Sequence, residues 1–487
     1  MDHAIKMAEG VVTTFWRRNE IMRIQSKKWW IYAITGAANF SVCFAINSLN
    51  LALPILMEEF GVTQGKVSWL ALVYTFVPCC LLLLCGKAAD LYGYKKQYQI
   101  GFCFFAVVSA LAPLLSRNLI TLIFFRALQG LGYCLLISIT QATVTQNFGE
   151  EERGKALGIN SVFVSVGLAS GPSIGGFLLT HFSWHSIFYF PIPFCLFGFI
   201  ATNFVLPEDR KTEKREKLDT AGGLFFAAFI GPLAIGLNFS DEWGLKSMPF
   251  LLCILGSICA FFLFLRREKK TKEPMLPLEL FHNRTFSCAN AVCALSYMTQ
   301  QLTTYLFPFF LIHILMLQAD KAGLLMLAFP LSMMIFSPLG GILSDRLGTR
   351  KPTLFGLLLI ALNCILVGFF HSESNLFFVM LTLILVGMGN GLSVSAVNSA
   401  ILGSVPKHYL GVASGTLATM RTIGNTFGTA IGSVMLMSRQ SYYSSKFPLS
   451  ETESYLLAQR DTFFIGLALV FLAICFILRL PNGVKNK

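Results

Sequence analysis

Apolar runs long enough to cross a membrane alternate along the chain with short polar breaks. They lie near 30–56, 67–85, 99–115, 119–146, 154–178 and 184–206, and after a charged stretch near 220–238 and 247–265. Six more follow near 284–312, 320–338, 352–370, 374–402, 408–436 and 462–480. A helix needs about 20 residues to span a bilayer, and in hydrocarbon each backbone N–H and C=O must be satisfied within its own segment. The pattern therefore predicts an all-α integral membrane protein with fourteen transmembrane helices.

Two of the polar breaks carry one signature. Residues 86–96 read GKAADLYGYKK and residues 341–351 read GILSDRLGTRK, a constant offset of 255. Gly86 and Gly341 let two helices approach closely at the end of a span. Asp90 and Asp345 stand at the membrane edge, where a lone carboxylate is costly, so each is expected to meet an Arg or a helix N-terminus. Gly93 and Gly348 permit the reversal, and Lys95, Lys96, Arg350 and Lys351 hold the loop in the cytoplasm. The repeat implies two related halves and a conformational latch in each. Asp90 follows the second run and Asp345 the tenth, a difference of eight where two six-helix halves would give six. The surplus pair is 220–238 and 247–265. The expected organisation is a basic cytoplasmic segment (1–29), a six-helix half (30–206), charged linkers with two inserted helices (207–272), a second half (273–480) and a cytoplasmic tail (481–487).

Composition changes the picture only in excluding alternatives. Charged residues make up 13% of the 487 and apolar ones 55%, against about 25% charged in soluble domains. The net charge of +13 gathers in clusters between apolar runs, as membrane topology demands, and not on a nucleic-acid face. The linker bases Arg210, Lys211, Lys214, Arg215 and Lys217, and then Arg266 to Lys272, fall on the side of the basic leader, so both termini are expected in the cytoplasm. The loop 437–461 is longer and mixed. The leader, with Arg17, Arg18, Arg23, Lys27 and Lys28 before Trp29 and Trp30, reads either as an amphipathic helix on the membrane or as a solvated tail. No cleavable signal peptide is expected. The 13 Cys sit in apolar runs without metal-ligand spacing, and no nucleophile–base pair or phosphate loop suggests an enzyme.

Charge inside a span is expensive and marks function or a structural hub. Arg126 in the fourth run reads either as a cavity contact for protons or anions or as a hub for backbone carbonyls. Arg421 lies well inside the thirteenth. Neutral polar residues make up the remaining candidates for a cavity lining: Asn47, Asn50, Gln141, Asn160, Gln300, Gln301, Tyr305, Asn390 and Asn398, each with an interhelical hydrogen bond as its plain alternative. His313 lies near the outer end.

Several stretches carry a family resemblance. Arg126-Ala-Leu-Gln129-Gly130-Leu-Gly132, Gly167 through Gly171-Pro172-Ser-Ile-Gly175-Gly176, and Trp184-His185-Ser-Ile-Phe188 join the repeated corner. From about 30 to 480 the chain resembles the major facilitator superfamily, in its fourteen-helix drug:proton antiporter group. The resemblance implies the two-half fold, a coupling role for Arg126 and Gln129, and a gate at Gly167, Gly171, Pro172, Gly175 and Gly176 between the fifth span and its pseudo-symmetric partner. One departure is informative. Ala45 occupies the position where the group carries an acid in the first span, with Asn47 and Asn50 following. No carboxylate lies in the middle of another run, so Arg126 and Arg421 would make the cavity positive.

The expected function is secondary transport in the plasma membrane, exporting amphipathic organic compounds or drugs by proton-linked alternating access. The alternative is transport of an anionic or zwitterionic metabolite without the usual antiporter coupling; a non-transporting scaffold is a third reading. The expected partners are a small-molecule substrate and the lipid bilayer, with no nucleic acid, for a monomer needing no cofactor or metal beyond a proton gradient.

Overall fold

The computed structural model describes residues 2–480 apart from 63, 210–217, 240–242, 245–246, 272–273, 318 and 448–449. It also leaves out the side chains of 2–27, 54, 64–65, 68, 172, 237–238, 313 and 319–320. The linker bases Arg210 to Lys217, Lys272, and the side chains of the leader bases up to Lys27, of Pro172 and of His313 thus lie outside the described residues.

The first half consists of α1 (Asp2–Glu59), α2 (Gln64–Tyr92), α3 (Tyr94–Leu115), α4 (Leu119–Asn147), α5 (Arg153–His181) and a sixth span broken into α6 (Ser186–Tyr189) and α7 (Ile192–Val205). Next come α8 (Thr220–Asn238) and α9 (Met248–Lys270), packed on each other as a hairpin. The second half is α10 (Arg284–Phe309), α11 (Ala319–Met326), α12 (Ala328–Leu347), α13 (Arg350–Val367), α14 (Leu376–Gly403), α15 (Leu410–Lys446) and α16 (Glu451–Leu478).

Among the described residues, eleven helices are long and apolar enough to cross a membrane. The expected number was fourteen. The apolar part of α8, Thr220–Gly236, is short. The other two helices outside the eleven are α10 and α15, and the reason is physical. In α10 Ser296, Thr299 and Thr303, and in α15 Ser414, Thr416 and Thr419, are all buried, so polarity is turned inward against neighbouring helices and depresses the mean hydropathy of an interior helix. The chain also departs from expectation near its end. α15 runs to Lys446 and α16 begins at Glu451, so the loop expected over 437–461 shrinks to 447–450. Ser450 caps α16 by accepting the N–H of Glu453.

Small residues build the seams, and the seams repeat. A methyl group at Gly154 of α5 would come 2.5 Å from the Gly341 carbonyl oxygen of α12, and one at Gly158 would come 2.4 Å from that of Ser337. In α15, Gly411 stands in the same relation to Gly86 of α2 (2.4 Å) and Gly415 to Leu82 (2.9 Å). Further along, Gly167, Gly171 and Gly175 seat α5 on Cys43, Asn47 and Ser48 of α1, while Gly424, Gly428 and Gly432 seat α15 on Tyr297, Gln301 and Tyr305 of α10. Every member of the α15 series lies 257 positions after its α5 counterpart (411 − 154, 432 − 175). Each of these two helices thus touches the opposite half at one end and its own half at the other. Close backbone approach at small residues holds helices together where no water drives association.

Candidate functional site

The repeated corners are helix ends, not loops. Gly86 and Asp90 lie in the last turns of α2, Gly341 and Asp345 in those of α12, and the chain turns at Gly93 (φ 100°) and Gly348 (φ 79°). Asp90 reaches across to the second half: its Oδ1 accepts the N–H of Gly411 and its Oδ2 that of Val412, both at 2.8 Å. Tyr94 donates to the same carboxylate at 2.7 Å. Asp345 does the mirror operation, accepting the N–H of Gly154 (2.7 Å) and Lys155 (2.9 Å). Each carboxylate therefore caps the N-terminus of a helix in the other half, where exposed N–H groups and the helix dipole favour an anion. Gly86 and Gly341 make this reach possible, because their backbones lie against those of Gly411 and Gly154.

The loop beyond the first corner has a partner that sequence reasoning missed. Asp209, after the sixth span, accepts the N–H of Lys95 (3.1 Å) and of Lys96 (2.9 Å), while Lys95 Nζ lies 4.0 Å from Glu208. Its only signal in the sequence was a carboxylate among linker charges. Arg350 opens α13.

Arg126 is 2% exposed and satisfied within the first half. It donates to the carbonyls of Leu70 (3.2 Å) and Ala45 (3.4 Å) and to Gln129 Oε1 (2.8 Å), and its guanidinium lies 4.0 Å from the centre of the Tyr74 ring. Gln129 passes the network on to Ser109 at 2.7 Å. This is the geometry of a hub joining α1, α2, α3 and α4. The counterpart of Arg126 at the 257 offset is Leu383, so the second half has no arginine at the equivalent position.

Arg421 behaves differently. It lies about three turns into α15 and keeps accessible surface. Its guanidinium lies 3.5 Å from the Tyr133 hydroxyl of α4, to which it donates, and 5.9 Å from the centre of the Tyr297 ring of α10. Cys43 of α1 and Cys293 of α10 lie within its electrostatic reach. None of the ion pairs among the described residues includes Arg421 or Arg126. A permanently charged, planar donor thus meets a tyrosine from each half, by its hydroxyl at Tyr133 and near the ring at Tyr297. Tyr133, Tyr297 and Cys43 were not singled out from sequence, since nothing in their spacing shows which helix faces they share.

The neutral candidates divide. Asn47 donates to the Leu168 carbonyl at 2.9 Å and packs on Gly171, an α1–α5 contact. Asn50 is exposed. Gln301 and Tyr305 line the α10 face that receives Gly428 and Gly432, and Gln301 Oε1 accepts from Thr304. Gln300 is 9% exposed, and Asn390 and Asn398 are deeper. Asn390 donates to the Val386 carbonyl of its own helix, and the side-chain oxygens of all three lack a hydrogen-bond partner among the described residues. Of the glycines expected at the gate, Gly167, Gly171 and Gly175 pack on α1, while a methyl at Gly176 would meet Leu51 at 3.9 Å.

Two pseudo-symmetric helical halves, joined at one end by carboxylates that cap helices of the opposite half, have the plan of a secondary transporter built from internal repeats. The Major Facilitator Superfamily model matches residues 35–228, 220–429 and 289–485. The chain belongs to that superfamily and is a multi-pass membrane transporter. It is 30% identical over 449 residues to the riboflavin transporter RibZ of Clostridioides difficile (strain 630), covering 92% of this chain and 96% of the relative. It is 29% identical over 404 residues to the multidrug resistance protein Stp of Mycobacterium tuberculosis (strain CDC 1551 / Oshkosh), covering 82% and 74%. Among solved structures it shares the fold of the human organic anion transporter MFSD10, with a TM-score of 0.65 at 15% identity over 92% of this chain and 99% of that one.

Proposed function

We propose that the chain moves flat, amphipathic organic solutes that are neutral or anionic, and that Arg421 meets them between the two halves. The observation that carries this reading is the guanidinium of Arg421, unmatched by any carboxylate among the described residues and set between Tyr133 and Tyr297. A buried cation without a counter-ion favours an anion or a strong dipole, and rings on either side favour a planar solute. The likeness to a riboflavin transporter supports a flat heteroaromatic cargo; the likeness to a multidrug resistance protein supports breadth.

Within this proposal all fourteen helices cross the membrane, α8, α10 and α15 included, as in the drug:proton antiporter group, and both ends of the chain lie in the cytoplasm of a plasma-membrane monomer. The corners close the cytoplasmic end, and movement is proton-linked. Cysteines placed at Lys270 and Glu373 should label from the cytoplasmic and the outer side respectively.

The test is flux into proteoliposomes of riboflavin, an aromatic organic anion and a lipophilic cation, each with and without an imposed pH gradient. The expected result is movement of the first two, faster with the gradient and weakened in Arg421→Ala. Efficient movement of the cation, untouched by Arg421→Ala, would establish the second reading, a conventional exporter of cationic drugs.

A further inference from the structure

The inserted hairpin is rooted in a group of charges that the transport reading leaves unused. Asp219, directly before α8, is 7% exposed; it accepts the Gly222 N–H at 3.0 Å and pairs with Arg267 of α9 at 3.1 Å. Beside it Glu268 is 4% exposed. Its Oε2 accepts the Leu276 N–H at 3.0 Å, but its Oε1 has no hydrogen-bond partner among the described residues. Both carboxylates flank Gly222. A methyl group there would lie 2.8 Å from Asp219 Oδ2 and 3.0 Å from Glu268 Oε1, so the two oxygens are at most 5.8 Å apart.

Burial pushes the Asp219 carboxyl up, but Arg267 and the Gly222 N–H hold it below its usual range, so Asp219 carries the negative charge. An ionised Glu268 would add a second, half-satisfied anion to a buried place, which is costly. A protonated Glu268 instead brings no second charge to the place that Asp219 and Arg267 share.

This root bears on the first corner. Gly231, Ala227 and Gly223 of α8 seat on Phe76, Cys80 and Leu84 of α2, one helical turn apart in each series. Lys87, the next turn along α2, is the cation whose field reaches Glu268. Three residues later α2 carries Asp90. The charged groups facing Glu268 are therefore Asp219 from the foot of α8, Lys87 from α2 and its neighbour Arg267 on α9; Lys272 and Glu273 lie outside the described residues.

We propose that Glu268 and Asp219 form a proton-binding site, and that loss of the proton draws Lys87 and α2 against the hairpin, strengthening the Asp90 latch. The site supplies the proton-responsive carboxylate that the first span lacks at Ala45. It deepens the proton-linked reading above and rests on it.

Two readouts on the full-length protein in lipid nanodiscs, both without any solute, test it. Infrared spectra titrated from about pH 5 to about pH 9 should show the carbonyl band of a buried protonated carboxyl. That band should vanish in Glu268→Gln. Protection of the Gly411 and Val412 amides, taken at each pH as exchange relative to the intrinsic base-catalysed rate, should rise over the same titration by about tenfold more in the parent than in Glu268→Gln, the factor that a one-unit difference between states gives; the part that Asp90 itself contributes is common to both proteins. If that variant does not fold, Asp219→Asn serves: it removes the neighbouring charge, and the carboxyl midpoint should fall by about one unit. Persistence of the band in Glu268→Gln, a rise in protection as large in that variant as in the parent, or an unmoved midpoint in Asp219→Asn overturns the proposal. Failure of the cargo reading would show only in the flux panel and leave both readouts unchanged.

Discussion

Gly341→Ala is the sharpest probe of the latch. The added methyl would lie 2.0 Å from the Gly154 carbonyl oxygen, 2.4 Å from its carbon and 2.7 Å from the Lys155 nitrogen, all backbone atoms that no rotamer change can move. Carbon–oxygen contacts settle at about 3.3 Å, so α12 and α5 must part by about 1 Å while the corner is engaged. Overpacking of this kind costs about 1–3 kcal/mol. The penalty falls only on the latched state, and 1.4 kcal/mol is about tenfold, so the latched population should drop by about 5- to 140-fold relative to the released one. The amides that report it are those Asp345 now holds, Gly154 and Lys155. Their hydrogen exchange should accelerate by the same factor, and Gly411 and Val412 should follow because both corners close one end of the same bundle. Gly256→Ala is the control, since nothing lies within 4 Å of a methyl there; it should bring only the about 1 kcal/mol gain of alanine in a helix. Unchanged protection at Gly154 and Lys155 in Gly341→Ala would refute the latch.

Asp90→Asn and Asp345→Asn each replace a carboxylate that accepts two N–H groups by an amide with one acceptor oxygen, so transport should slow with expression retained, as measured by flux per mole of purified protein. Arg126→Ala should lower the thermal unfolding midpoint in detergent, because it strips donors from the Leu70 and Ala45 carbonyls and from Gln129, a loss of about 3 kcal/mol or more. Arg421→Ala should leave that midpoint nearly unchanged and instead weaken competition by organic anions. Ala45→Asp puts an acid on a position that is 5% exposed and should raise competition by lipophilic cations; no change in the cation-to-anion ratio would count against a charge-selected site.

The amino-acid sequence by itself determined that the chain is a helical membrane protein and that one corner signature occurs in it twice. Those properties are carried by hydropathy and spacing along the chain, which are local. It also marked Asp90 and Asp345 as carboxylates in need of a partner. Only the tertiary structure decided which partners: N–H groups at Gly411 and Gly154, more than 190 positions away in each case. The same holds for the two arginines. Both are charges within spans, yet Arg126 is satisfied by carbonyls and an amide of its own half, whereas Arg421 meets a tyrosine of each. That difference depends on how each helix is rotated about its axis, which hydropathy does not encode. The polarity of α10 and α15 shows the same limit from the other side. Their serines and threonines lower the apolar signal along the chain because they are turned into the protein, and only packing reveals that they face inward.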